Sequence, residues 1–188
     1  MKVLAISGKM HTGKSYITDL LVSAGLGTRM AFAQSLKDDI KEMGFPEEAI
    51  KEKPSWMRRL MQVYGQAWRA VDTDHWCDRL ISTLMERKRR AELPMLFPGN
   101  TEPVYIIDDV RFENEADALL NLRDKGIDVM LIRLERSGYD RDDIVGSDDL
   151  SEMALDDYPE FDCTYTIPSG DISALRNLAH ALKEWING

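Results

Sequence analysis

The chain has 188 residues, 24 Lys and Arg against 33 Asp and Glu, a net charge of −9 and a sequence pI near 4.9. That length suits one domain with one sizeable core. The acidic balance argues against a protein that coats DNA or RNA, which must neutralise phosphates with basic patches, but a small anionic ligand needs only a local cluster of Arg and Lys. No stretch is long and apolar enough to span a membrane, and no signal peptide is expected ahead of the first strand. The two cysteines, Cys77 and Cys163, fit neither a metal spacing nor a disulfide framework, as expected of ordinary thiols in a reducing cytoplasm.

In chain order, Val3-Leu4-Ala5-Ile6 is a short apolar run that predicts a buried strand. Ser7 to Ser15 follows as a glycine loop, and Tyr16 to Val22 continues as an apolar-striped helix closed by Gly25-Leu26-Gly27. Thr28 to Ala33 predicts a second strand, and Gln34 to Met43 a helix ended by Gly44 and Pro46. Glu47 to Lys53 is a charged helical turn, and Ser55 to Tyr64 and Asp74 to Arg90 read as helices. Leu93 to Pro103 is a proline-rich loop. Val104 to Asp109 is an apolar strand ending in two carboxylates. Asn114 to Lys125 is a helix with Ala116, Leu119 and Leu120 on one face and Gly126 as its C-cap. Val129 to Leu134 is a fourth strand, and Ser137 to Asp149 is a polar, Asp- and Gly-rich loop. Thr164 to Ile167 is a fifth strand. Asp171 caps a last helix striped by Ile172, Leu175, Leu178, Leu182 and Trp185.

Strands alternating with helices imply an α/β fold with a five-stranded parallel sheet covered on both faces. Ligands in such folds sit beyond the carboxyl ends of the strands. The glycine loop, Asp108-Asp109 and the residues after Leu134 then share one rim. The expected organisation is a single domain, 1–188, with a helical insertion over 34–92 under which a second substrate can bind.

Gly8 to Ser15 fits G-x-x-x-x-G-K-[ST], the phosphate-binding loop pattern, in its required setting of strand, loop and helix. The glycines let backbone N–H groups point inward, and the helix adds the positive end of its dipole. Gly8, His11, Thr12, Gly13, Lys14 and Ser15 are the candidate nucleotide contacts. Lys14 would reach the outer phosphates and Ser15 would hold Mg²⁺. Asp108-Asp109-Val110-Arg111 has two readings. Asp109 can orient Mg²⁺ while Arg111 takes a phosphate by a bidentate pair, or a strand-end Asp caps the next helix and the Arg makes a surface ion pair. The insertion carries Lys37, Arg58, Arg59, Gln62, Arg69 and Trp76. Arg58 and Gln62 share a face at a four-residue offset, and an Arg–Gln–Trp set can hold an anion, a base edge and a base face together.

On these segments the chain resembles the deoxynucleoside monophosphate kinases of bacteriophages, within the P-loop kinases of nucleoside monophosphates. The resemblance rests on the glycine loop, on Ala31-Phe32-Ala33-Gln34-Ser35-Leu36-Lys37, on Arg58-Arg59-Leu60-Met61-Gln62 through Gly65-Gln66-Ala67-Trp68-Arg69 to Trp76, and on Asp108 to Ala116. Ser151-Glu152 also fits. Gln66-Ala67, Asp148-Asp149-Leu150 and Pro168-Ser169-Gly170 depart from the family's pattern. The resemblance implies a P-loop kinase fold with a lid over 137–149, and Mg²⁺-dependent transfer of the γ-phosphoryl of ATP to a deoxynucleoside monophosphate. It implies Lys14, Arg111, Arg136 and Arg141 as catalytic residues, and Phe32, Lys37, Arg58, Gln62, Arg69, Trp76 and Arg111 as acceptor contacts, with Ser15 and Asp109 at the metal. For the bases, Phe32, Trp76 or Trp68 is a stacking platform or a core residue. The implied setting is DNA precursor synthesis in the cytoplasm of an infected cell, with small-molecule partners, no nucleic acid, no membrane, and a homodimer left open. Three other readings stay open: a P-loop kinase of another small molecule such as dephospho-coenzyme A, an NTPase without acceptor, and a non-catalytic nucleotide-binding module.

Overall fold

The computed structural model describes residues 1–93, 102–138 and 153–188. The chain forms two compact units, Met1–Met30 with Leu93–Gly188, and Ala31–Glu92. The second spans Ala31–Glu92, where the insertion was expected over 34–92.

The first unit contains β1 (Lys2–Gly8), α1 (Lys14–Ser23), β2 (Thr28–Met30), β3 (Val104–Val110), α6 (Glu113–Leu120), β4 (Asp128–Ser137), β5 (Cys163–Pro168) and α7 (Ile172–Asn187). All strand pairs are parallel, in the order β2-β3-β1-β4-β5, compatible with a P-loop-like fold. Side chains alternate along a strand. Leu4, Ile6, Ile106, Ile132 and Leu134 therefore share a face, and they pack with Ile17 and Leu21 of α1 and Leu178 and Leu182 of α7. Val3, Ala5, Ile107, Val129 and Leu131 point the other way and are equally buried, as are Ala116 and Leu119 of α6, which packs along β4. Burial on both faces is why these strands read as continuous apolar runs. β1 lies centrally: the chain leaves it toward β2 on one side, while the adjacent β4 leads on to β5 on the other. Ligands of open parallel sheets collect at the carboxyl end of such a switch point.

The second unit is helical: α2 (Phe32–Glu42), α3 (Glu47–Glu52), α4 (Ser55–Val71) and α5 (His75–Ala91). Its core joins Leu36, Ile40, Ile50, Met57 and Trp76, with Phe45, Leu60, Met61 and Tyr64 against it.

Three expectations need correction. The second strand stops at Met30 instead of Ala33, because Phe32, Leu36 and Ile40 are spaced by four and bury one stripe of α2. The helix expected over 114–125 ends at Leu120, and a 3₁₀ turn at Arg123–Lys125 follows. There Leu122 is buried, and the Ile127 N–H reaches its carbonyl at 3.2 Å, turning the chain through Gly126 into β4. In α7 the buried stripe is Leu178, Ala179, Leu182 and Ile186, while Ile172 in the first turn is exposed.

Candidate functional site

The loop from β1 to α1 leaves the carboxyl end of the central strand. Gly8, His11 and Gly13 all have positive φ, at 145°, 61° and 100°. At Gly8 glycine is required twice over, by its φ and by a backbone contact, and at Gly13 by its φ beside a movable side chain. A Cβ on Gly8 would press into the Leu134 carbonyl oxygen of β4, and one on Gly13 would lie 2.7 Å from Leu175 of α7. The Lys14 ammonium folds back across the loop, donating to the carbonyls of Gly8 and of Lys9, the latter at 2.7 Å. The buried Thr12 hydroxyl donates to the same Lys9 carbonyl at 2.9 Å. Ser15, in the first turn of α1, is exposed.

The start of α1 differs from the other helix starts of this unit. The described α6 and α7 are each closed by a carboxylate: Glu115 accepts from the N–H groups of Arg111 and Phe112 at 2.8 and 3.2 Å, and Asp171 accepts from the Ala174 N–H at 2.9 Å. Among the described residues no side chain caps α1, and its first turn carries no acid. An N-terminal helix end of this kind carries the positive end of the helix dipole.

Two braces hold the loop from outside. Arg136, at the end of β4, donates to the His11 carbonyl at 3.1 Å and to the Ser169 hydroxyl at 2.8 Å. Lys9 pairs with Asp156 at 2.7 Å. Asp156 also accepts from Arg133 at 2.6 Å, and Arg133 is buried, bonded to the Leu155 carbonyl at 2.6 Å, with its guanidinium over Phe161. Burial pushes the Asp156 pKa up, but the bonds from Lys9 and Arg133 outweigh it and hold the carboxyl below its ordinary value.

At the end of β3, Ala5 pairs with Ile107 and Ser7 with Val110, so Asp108 and Asp109 together oppose the single residue Ile6. Such a bulge re-aims side chains at the end of a strand. Asp108 is buried and taken by the Arg29 guanidinium, whose Nε lies 3.1 Å from one oxygen and whose Nη2 bonds the other. Arg29 also reaches Asp19 of α1 at 2.9 Å, and its hydrogen bond to Asp108 is the main cause holding its pKa above the ordinary value. Asp109 and Arg111 are half-buried. No group of three or more His, Cys, Asp or Glu side chains among the described residues could hold a metal by itself. An exposed hydroxyl at Ser15 and a carboxylate at Asp109 are nonetheless the hard oxygen donors suited to Mg²⁺ arriving with phosphates, since that ion is bound by few protein ligands and completes its shell with substrate oxygens and water.

In the helical unit, Trp76 is buried, and its indole N–H donates to the Gly65 carbonyl at 3.2 Å. Phe32 is buried as well. Trp76 belongs to the hydrophobic core of this unit. Trp68 is partly exposed and stacks on His75 with centroids 4.2 Å apart. Arg58 and Gln62 are exposed, Arg58 donating to the Lys53 carbonyl at 2.8 Å, and Lys37 and Arg69 are half-buried. Arg141, Ser151-Glu152 and all of 137–149 except Ser137 and Gly138 lie outside the described residues.

Comparison with protein-family models and with curated protein sequences gives no match for this chain.

Three charged side chains escaped the sequence reading. Asp156 and Arg29 stand in no motif, and nothing in the sequence links either to partners 147 and 79 residues away. Arg79 pairs with Asp39 at 2.6 Å and lies over Trp76, tying α5 to α2. Only its spacing, three residues after a tryptophan on a helix, hinted at this. No helix among the described residues is long and apolar enough to cross a membrane.

Proposed function

We propose that this chain is a P-loop kinase that transfers the γ-phosphoryl of ATP to a deoxynucleoside monophosphate, giving the diphosphate and ADP. The observation that carries the reading is the start of α1. Among the described residues it is uncapped, it is free of acids in its first turn, it follows a loop with Gly8 and Gly13 in positive-φ conformations, and it opens with Lys14. A helix start of that kind favours phosphate.

In this reading the N–H groups of the loop and first turn hold the donor's outer phosphates. Lys14 leaves its loop carbonyls to neutralise charge on the transferring group. Ser15 and Asp109 hold Mg²⁺, which supplies further charge neutralisation. Arg136, already against the His11 carbonyl, borders the donor phosphates. Arg111 presents its guanidinium to the acceptor phosphate. The acceptor oxygen is ionised near neutral pH, so no general base is needed. A bond forms from that oxygen to the γ-phosphorus as the bond to the ADP oxygen breaks, and the chain contributes positioning and electrostatics. Lys37, Arg58, Gln62 and Arg69 remain the acceptor contacts that the resemblance assigns to the helical unit.

The test is a coupled assay of ADP formation with Mg²⁺-ATP and each of the four deoxynucleoside monophosphates, beside the Lys14→Ala variant. Monophosphate-dependent turnover, lost in a folded Lys14→Ala protein, is expected. ATP hydrolysis indifferent to every monophosphate would favour an NTPase instead, and a folded Lys14→Ala protein with near wild-type rate would remove the phosphate-loop assignment.

A further inference from the structure

We infer that Asp156 is a positioning residue for the glycine loop: acting through Lys9, it fixes the loop in its anion-accepting shape and so sets donor affinity. The inference rests on the kinase reading for the identity of the donor.

The geometry forms a chain of three contacts. Arg133 is buried in β4, bonded to the Leu155 carbonyl and set over the Phe161 ring. It holds one oxygen of Asp156 at 2.6 Å, and the other oxygen holds Lys9 at 2.7 Å. Lys9 is the residue on which the loop converges. Its carbonyl accepts from the Lys14 ammonium at 2.7 Å, from the Thr12 hydroxyl at 2.9 Å and from the Thr12 N–H at 3.4 Å. Fixing the Lys9 side chain therefore fixes the carbonyl that parks Lys14.

The loop needs such an anchor. Its glycines make many shapes accessible to the free chain, and ordering them costs conformational entropy. An anchor made before the ligand arrives removes part of that cost from binding, which is preorganisation. The anchor is ionic and only partly exposed, with side-chain exposures of 21% and 27% for Lys9 and Asp156. It is thus less screened by water than an open surface pair. A carboxylate beside an anion site would by itself repel phosphate. Here it is held by two cations, Lys9 and Arg133, so its charge is offset locally.

The experiment measures Mg²⁺-ATP binding by calorimetry and steady-state kinetics for wild type, Asp156→Asn, Lys9→Met and the double variant. Asp156→Asn keeps an oxygen that accepts from Arg133, so the fold is expected to persist; circular dichroism and thermal unfolding check it. About three- to tenfold weaker ATP binding is expected, with KM for ATP raised and KM for the monophosphate unchanged. Lys9→Met should weaken ATP to a similar degree, and the double variant little further, because both remove one contact. Asp156→Glu should restore part of the affinity. Additive losses would mean that Lys9 and Asp156 act independently, and equal or tighter ATP binding by Asp156→Asn would mean that the carboxylate only competes with phosphate for Lys9; either overturns the inference. If the wild type binds no triphosphate, the kinase reading fails. The positioning claim then stands or falls on hydrogen exchange of the amides of residues 9–14, which should quicken in both Asp156→Asn and Lys9→Met.

Discussion

Gly8 and Gly13 bracket the loop, and replacing each by Ala should cost stability for different reasons. Gly13 has φ of 100°, where an L-residue is penalised by about 1–2 kcal/mol. Its new methyl would also meet the Leu175 side chain at 2.7 Å, and overpacking of that kind costs about 1–3 kcal/mol. The expected loss is therefore about 2–5 kcal/mol. Gly8 has φ of 145°, a region nearly closed to other residues, with strain of about 1–3 kcal/mol. Its methyl would strike the Leu134 carbonyl, a backbone group paired in register with Gly8 itself, which cannot retreat without opening the β1–β4 ladder. Leu175 is the end of a flexible side chain and can be removed. In a Leu175→Ala background, Gly13→Ala should cost only its backbone part, about 1–2 kcal/mol, while Gly8→Ala should cost as much as before. The assay is urea unfolding followed by circular dichroism and tryptophan fluorescence, comparing midpoints at constant slope. If Leu175→Ala relieves neither substitution, or both equally, the close approaches assigned to these two glycines are wrong.

Two further outcomes follow from the rim. Arg111→Ala should raise KM for the monophosphate and lower kcat/KM by about 30- to 1000-fold, equivalent to roughly 2–4 kcal/mol for a bidentate phosphate contact; direct ATP titration should change little, Arg111→Lys should rescue poorly, and equal weakening of both substrates would refute a separate acceptor role. Arg29→Met strands the buried Asp108 carboxylate and should destabilise by about 2–4 kcal/mol, less than a fully buried pair because Arg29 is partly exposed; Arg29→Met/Asp108→Asn should recover more than half of that in thermal unfolding, and a purely additive double variant would refute the pairing.

Sequence periodicity served well where one element decides its own burial. β1, β3 and β4 are apolar on both faces, and that alone marks them as inner strands. The Asp171 cap was legible because its partner is three residues away. The β2 boundary was not, since Met30 to Ala33 is apolar in either conformation and only the spacing to Leu36 and Ile40 decides it. Trp76 was ambiguous for the same kind of reason: an aromatic beside arginines reads alike as platform or core until its N–H is seen to reach Gly65. The loop pattern could be read residue by residue, but its braces could not. Lys9, Arg133 and Asp156 meet only because the segment after 152 returns to the end of β4, a long-range event that no local pattern records.

The two helix starts on this rim show how similar local geometry can be turned to different uses. At α6 the Glu115 carboxylate takes the N–H groups of Arg111 and Phe112, so its negative charge occupies the place where an anion would sit. In the proposed reading a phosphate approaching there would gain little from the helix and would rely on the Arg111 side chain, whose fork selects geometry as well as charge. At α1 the arrangement is reversed. Among the described residues no side chain caps this helix and its first turn carries no acid, and Lys14 rests on loop carbonyls, which under the proposed reading it would leave for a phosphate. Backbone donors bind any phosphate chain of the right length, whereas a single guanidinium binds one terminal phosphate. Under the proposed kinase reading, a backbone site after the central strand and a side-chain site at the end of the neighbouring strand would tell a polyphosphate donor from a monophosphate acceptor, as transfer between the two requires.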